Sequence, residues 1–166
     1  MDLSETNEQF PRPPLSVRDK TGKQITIKAY SGGPDPLVQM YLAYDEPATR
    51  GLPPQTEDEI REWLKTYLSD GFNVVARHNW RVIGHAALLP HSDTAELVIF
   101  VHPDEQSQGI GTQLIQGLLG HGQERDVGNV WLSVAVDNLP LFRIATAVGF
   151  KPPKNSQMEF RLSRDL

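Results

Sequence analysis

The segment Gln106-Ser107-Gln108-Gly109-Ile110-Gly111-Thr112 stands between the most strand-like run of the chain, residues 95–102 (AELVIFVH), and a helical pattern with Ile110, Leu114, Ile115, Leu118 and Leu119 on one side. Amides in a first helical turn have no partner inside the helix, and the helix dipole adds partial positive charge there. Glycines at 109 and 111 place no side chain between those amides and an incoming phosphate. The chemistry this predicts is capture of a phosphate or pyrophosphate, with the rest of the ligand running along the edge of strand 95–102. Tight packing of a helix against a strand favours glycine at the same places, so the pair alone leaves both explanations standing. Neither GxxxxGK[ST] nor an early GxGxxG after a strand is present.

Such a loop works only if the elements around it hold it at a sheet edge. Residues 95–102 are apolar on both faces, as in a central strand, and Pro103 ends the run. A second buried-looking strand, 129–136 (NVWLSVAV), follows the helix closely. The two are therefore expected to lie parallel with a right-handed crossover. Upstream, 24–30 (QITIKAY) alternates like a half-buried strand and stops at Gly32-Gly33-Pro34. Asp35 is the expected N-cap of a first helix, with Pro36 in its first turn and Leu37, Met40, Tyr41 and Tyr44 on one face. Thr56 and Glu59 form a capping box for a second, carrying Ile60, Trp63, Leu64, Tyr67 and Leu68.

Residues 72–77 and 81–89 read as a hairpin turning at His78-Asn79. A short helix over 139–148 closes at Gly149, and 157–162 forms a last strand. Residues 1–20 carry Pro11, Pro13 and Pro14. They read as a polar N-terminal tail that can dock as an extended segment but cannot start a helix. That leaves 21–166 as one α/β domain, a mixed α+β sheet with packed helices in the order β-α-α-β-β-β-α-β-α-β.

Composition narrows the function classes. A chain of 166 residues, 39% apolar and 22% charged, suits one soluble globular domain. It has no cysteine, which excludes disulfides, thiolate metal sites and cysteine nucleophiles. A net charge of −5 without a basic stripe argues against nucleic acid as partner. No apolar run approaches the roughly 20 residues of a membrane span. The polar start Met1-Asp2-Leu3-Ser4-Glu5 is unlike a signal peptide, so a cytoplasmic location is expected. No metal is expected.

Gln106-x-x-Gly109-x-Gly111 resembles the Q/R-x-x-G-x-G/A signature of the GNAT (GCN5-related N-acetyltransferase) superfamily. Val101-His102-Pro103 is similar to that family's V-x-P strand end, and Asn138 followed by Gly149-Phe150 to its N…GF ending. The resemblance covers roughly residues 24–162. It implies an acetyl-CoA-dependent N-acetyltransferase that passes an acetyl group to a primary amine in a ternary complex. The acceptor would be a protein lysine, an N-terminus or a small molecule. A homodimer is implied in the same way.

Residue by residue, the resemblance implies that backbone groups of Ile99, Phe100 and Val101 bond the pantetheine arm. The segment from Gln106 through Ser107, Gln108, Gly109, Ile110 and Gly111 to Thr112 would hold the pyrophosphate, chiefly through its amides. Asn138 would contact the cofactor. The Val101 N–H would steady the oxyanion. The run Ala95-Glu96-Leu97 is similar to the AE[FL] segment of bacterial protein-lysine acetyltransferases, which implies Glu96 as the general base. An exposed strand-end carboxylate is the plain alternative, and His85 and His102 are reserves. The family's tyrosine acid falls at Ala145 and its second carboxylate at Ser133, which leaves open a non-catalytic acyl-CoA-binding regulatory module. Gln106 and Gln108 replace the usual cations; Arg143 is a possible substitute or simply a solvated side chain. For the acceptor, Tyr41, Tyr44, Asp45 and Glu46 are the candidate lining, although both tyrosines could equally only pack the first helix on the sheet.

Overall fold

The computed structural model describes residues 9–44, 53–135, 138–151 and 159–166, with the side chains of 159–163 excepted. Its centre is a seven-stranded sheet in chain order: β1 (Leu15–Arg18), β2 (Gln24–Tyr30), β3 (Phe72–His78), β4 (Arg81–His91), β5 (Thr94–Val101), β6 (Asn129–Ala135) and β7 (Glu159–Asp165). Every neighbouring pair is antiparallel except β5 and β6, which run parallel as the crossover requires. Helices α1 (Asp35–Tyr41) and α2 (Glu57–Asp70) cover one face, and α3 (Ile110–Gln123) and α4 (Leu139–Ala147) the other.

The two faces hold separate cores, as strand alternation demands. On the α3 face Ile25, Ile27, Val74, Leu114, Ile115 and Leu118 are wholly buried. On the other face Leu37, Tyr41, Ile60, Leu64 and Val75 are equally inaccessible. Among the described residues no helix is long and apolar enough to cross a membrane.

β1 is the element that sequence periodicity does not show, because four residues beside a proline cluster carry almost no signal. The expected tail therefore contributes to the sheet from Leu15 onward, pairing Leu15 with Ile27 and Val17 with Ile25. Phe10 is 6% exposed and donates its N–H to Gln123 Oε1 at 2.9 Å, so the segment before β1 runs along the back of α3.

Capping explains where the helices begin. Pro34, not Asp35, caps α1, and no side chain bonds the cap. Asp35 instead pairs with Arg61 of α2 at 2.8 Å, tying the two helices together. Thr56 caps α2 as expected, its hydroxyl accepting the Glu59 N–H at 3.2 Å. Thr56→Ala is expected to cost about 1 kcal/mol of unfolding free energy in urea titrations, while Thr56→Ser should cost a few tenths.

Candidate active site

β5 and β6 share only three register pairs, Thr94 with Asn129, Ala95 with Val130 and Glu96 with Trp131. Beyond Glu96 the sheet splits, while β6 continues against β7 as far as Ala135. The split explains why residues 98–101, apolar throughout, are only half-buried. An apolar strand read as central is one whose far edge has lost its neighbour.

Strand alternation then decides which main-chain groups face the gap. The His102 N–H donates to Ile83 O at 2.8 Å, on the β4 side. Phe100, Val98 and Glu96 therefore turn their N–H and C=O groups to β4, and Leu97, Ile99 and Val101 turn theirs to the gap. Of the three residues expected to offer backbone bonds there, Ile99 and Val101 do. Phe100 does not, because its register partner His85 takes its groups. Its ring instead lies on the α1–α2 face.

Val101 O already has two donors, the Tyr44 hydroxyl in a very short bond and Gln106 Nε2 at 3.1 Å. Burial, outweighing these bonds, pushes the Tyr44 phenol up to about 12, so it stays protonated and donating. Tyr44 thus stands at the mouth of the gap. Tyr41 does not: it is fully buried, its hydroxyl 2.6 Å from His85 Nδ1. His85 Nε2 meets Asn73 Oδ1 at 2.8 Å, and Asn73 Nδ2 donates to Tyr67 O at 2.7 Å. Since Asn73 spends its amide on Tyr67, its oxygen must accept from His85 Nε2–H, leaving Nδ1 to accept from Tyr41. Tyr41 packs α1 onto the sheet in this arrangement. Asp45 and Glu46 lie outside the described residues.

Burial pushes His85 from the ordinary 6.5 down to about 3, so it is neutral and enclosed, not a reachable base. An unfolded chain binds that proton below pH 6.5 and the native one does not, so stability is full above 6.5 and falls with pH down to about 3. Acid titration followed by urea unfolding should show a loss of about 1.4 kcal/mol per pH unit in that window from this group. His85→Gln should flatten the slope. His102 is buried against Arg81 Nη2 at 2.7 Å and accepts the Asp104 N–H at 3.1 Å. Burial first, then Arg81, holds its imidazole below the ordinary range.

Glu96 sits at the last paired position, at the throat of the split. By alternation its half-buried side chain shares the α1–α2 face with Phe100. It makes no hydrogen bond or ion pair among the described residues. The Tyr67 phenol is raised by burial and then by the Glu96 charge. Trp63 lies 5.0 Å from Tyr67 and 5.6 Å from Phe100, and Phe100 lies 6.3 Å from Tyr44, centroid to centroid. A half-buried aromatic wall therefore runs from Tyr44 through Phe100 and Trp63 to Tyr67. Trp63 and Tyr67 were legible only as the inward stripe of α2.

The loop after β5 begins with a single 3-10 turn, Pro103–Glu105. Ser107 has φ +64° and Gly109 φ +86°, and Gly109 caps α3 with no side-chain bond. The first-turn amides of α3 are free of helical partners, and no acidic side chain stands in that turn. Glycine at 109 is a conformational need, since other residues rarely hold that φ. Glycine at 111 answers to packing: a Cβ there would lie 3.0 Å from Ile144 Cδ1 of α4. Asn138 caps α4, its Oδ1 accepting the Leu141 N–H at 3.3 Å. Ala145 is fully buried, and Arg143 is exposed on α4. An open strand edge leading to a helix start without a side-chain cap fits a long ligand with amides at one end and phosphates at the other.

A family model described as the acetyltransferase (GNAT) family matches residues 37–150. No curated protein sequence matches the chain. Solved structures share the fold. The GNAT domain of S. lividans PAT is 15% identical with a TM-score of 0.77, covering 92% of this chain and 96% of that one. The yncA protein of Salmonella typhimurium, solved with its cofactor acetyl-CoA, is 17% identical with a TM-score of 0.66, covering 86% and 94%. The ribosomal-protein-S18-alanine N-acetyltransferase of Escherichia coli is 20% identical with a TM-score of 0.66, covering 85% and 93%.

Proposed function

Because the chain belongs to the GNAT family of acetyltransferases, whose members use acetyl-CoA, we propose that it moves the acetyl group directly onto a cationic primary amine, with Glu96 as general base. The observation that carries this reading is the opening of the sheet directly beyond Glu96, which puts a carboxylate, an open strand edge and an aromatic wall around one gap.

When bound, acetyl-CoA supplies the thioester and a thiolate leaving group. Ile99 and Val101 would bond its pantetheine amides, which requires Val101 O to release Gln106 or Tyr44, since both of its lone pairs are engaged. The α3 amides would hold the diphosphate. An ammonium ion suits the carboxylate and the faces of Trp63 and Tyr67. Glu96 would take its proton, directly or through water, leaving the amine able to attack the acyl carbon.

Glu96 and Val101 are about 16 Å apart along an extended strand, so with Val101 as oxyanion donor the amine's proton would reach Glu96 only through a relay of waters. The Ile99 N–H, about 10 Å from Glu96 on the gap side, is a second candidate oxyanion donor beside Val101 and would need a shorter relay.

Ala145 removes the usual phenol acid. Tyr44 does not replace it: its hydroxyl stands near 12, whereas a thiol titrates near about 8.5, so the transfer would run uphill by several kcal/mol. A thiolate can leave without that help and be protonated by water. The competing reading, an acyl-CoA-binding module without turnover, is favoured only by Ala145. A thiol-release assay against amines and lysine peptides separates the two, since a binding module would take up acetyl-CoA in calorimetry yet release none with any acceptor. A cytoplasmic setting and a homodimer belong to this reading on composition and resemblance alone.

A further inference from the structure

We infer that Lys20, on the turn between β1 and β2, supplies the cation that the phosphate loop itself lacks, contacting the diphosphate of the bound cofactor. This rests on the function proposed above and adds a residue to that same site.

The loop from Gln106 to Thr112 contains no charged side chain. Amides and a helix dipole bind phosphate, but a charge-assisted contact is roughly twice as strong as a neutral one. The β1–β2 turn brings a cation to that spot. Lys20 N donates to Gln108 O at 3.0 Å, fastening the turn to the loop. The Cγ and Cε of Lys20 both lie 3.9 Å from where Gly109 would carry a Cβ, so its stem runs past the residue that caps α3.

The turn is built to stay there. Asp19 accepts from the Thr21 N–H at 2.9 Å, the Thr21 hydroxyl at 2.6 Å and the Lys23 N–H at 2.9 Å. Lys23 Nζ bonds both oxygens of Glu105 at 3.0 Å, linking the turn to the other end of the loop. The neighbouring cations are directed elsewhere: Lys23 is paired with Glu105, and Arg18 bonds Gly22 O at 2.8 Å within the turn. Lys20 is exposed and has no acidic partner among the described residues. It is the cation of the turn left to meet an anion at α3.

The test is calorimetric titration of acetyl-CoA into the full chain, with Lys20→Met, Lys20→Arg and, as a distant surface control, Lys28→Met. Lys20→Met should weaken binding about tenfold at low salt, with the difference shrinking as salt rises. Lys20→Arg should stay within about twofold, and the control Lys28→Met should bind acetyl-CoA and turn over like wild type. The tenfold loss should persist with acetyl-dephospho-CoA, which keeps the diphosphate but lacks the 3′-phosphate. Lys20→Met binding like wild type overturns the inference and leaves the proposed function standing. A loss confined to the ligand carrying the 3′-phosphate overturns the assignment to the diphosphate. Failure of wild type to bind acetyl-CoA overturns the proposed function itself, and this inference with it.

Discussion

Glu96→Gln is expected to lower the turnover number for amine acetylation about 100-fold while leaving the Kd for acetyl-CoA within about twofold of wild type. Glutamine keeps the size and hydrogen-bonding reach of glutamate and loses only its basicity, so packing at the throat of the split is preserved. An alkylammonium titrating near about 10.4 is neutral in roughly one molecule per few thousand at pH 7, which bounds what a positioned base can gain. The same arithmetic gives the variant a signature. Its rate should climb nearly tenfold per pH unit between 7 and 9 as free amine accumulates, whereas wild type should respond less. Stopped-time thiol release gives the rates, and titration calorimetry gives the Kd. Turnover equal to wild type at pH 7 would remove Glu96 from the chemistry. A parallel collapse of affinity would make it a structural residue instead.

The neutral loop and the order of elements from β2 onward were legible because each depends on local pattern: an apolar run closed by Pro103, glycines at a helix start, a capping box at Thr56. Glu96 entered only through the resemblance of Ala95-Glu96-Leu97. What was not legible is what distant partners decide. Residues 98–101 read as the middle of a sheet, since apolar side chains look alike whether β6 covers them or leaves them open for a ligand. The split appears only once β6 is seen to part from β5 after Trp131. The resemblance groups Phe100 with Ile99 and Val101, but the register with His85 turns its main chain away. Tyr41 and Tyr44 read as one helical stripe, but α1 ends at Tyr41, and three residues of chain separate a core hydroxyl spent on His85 from one at Val101. Lys20 carried no signal at all, because a hairpin far from the loop in sequence delivers it.

The same blind spot covers the N-terminal segment, where Gly120→Ala is expected to destabilise the fold by about 1 kcal/mol in urea unfolding. On propensity alone the change should help, since alanine in a helix interior is worth about 1 kcal/mol over glycine. Geometry opposes it. A Cβ at 120 would lie 2.0 Å from Pro11 O, 2.7 Å from Pro11 C and 3.0 Å from Phe10 O, and all three are backbone atoms that no rotamer change can move. Either α3 backs away from the sheet or residues 9–14 lift off, uncovering Phe10 and the Arg164 guanidinium stacked 4.8 Å from its ring. Overpacking of this kind costs about 1–3 kcal/mol, enough to outweigh the helix gain. A second substitution reads the cause directly. In a chain lacking residues 1–14 the clash has no partner, so Gly120→Ala there should turn stabilising by about 1 kcal/mol. If alanine stabilises the full chain as well, the segment before β1 does not lie on α3, and the strap that leads through β1 to Lys20 and the phosphate loop loses its anchor.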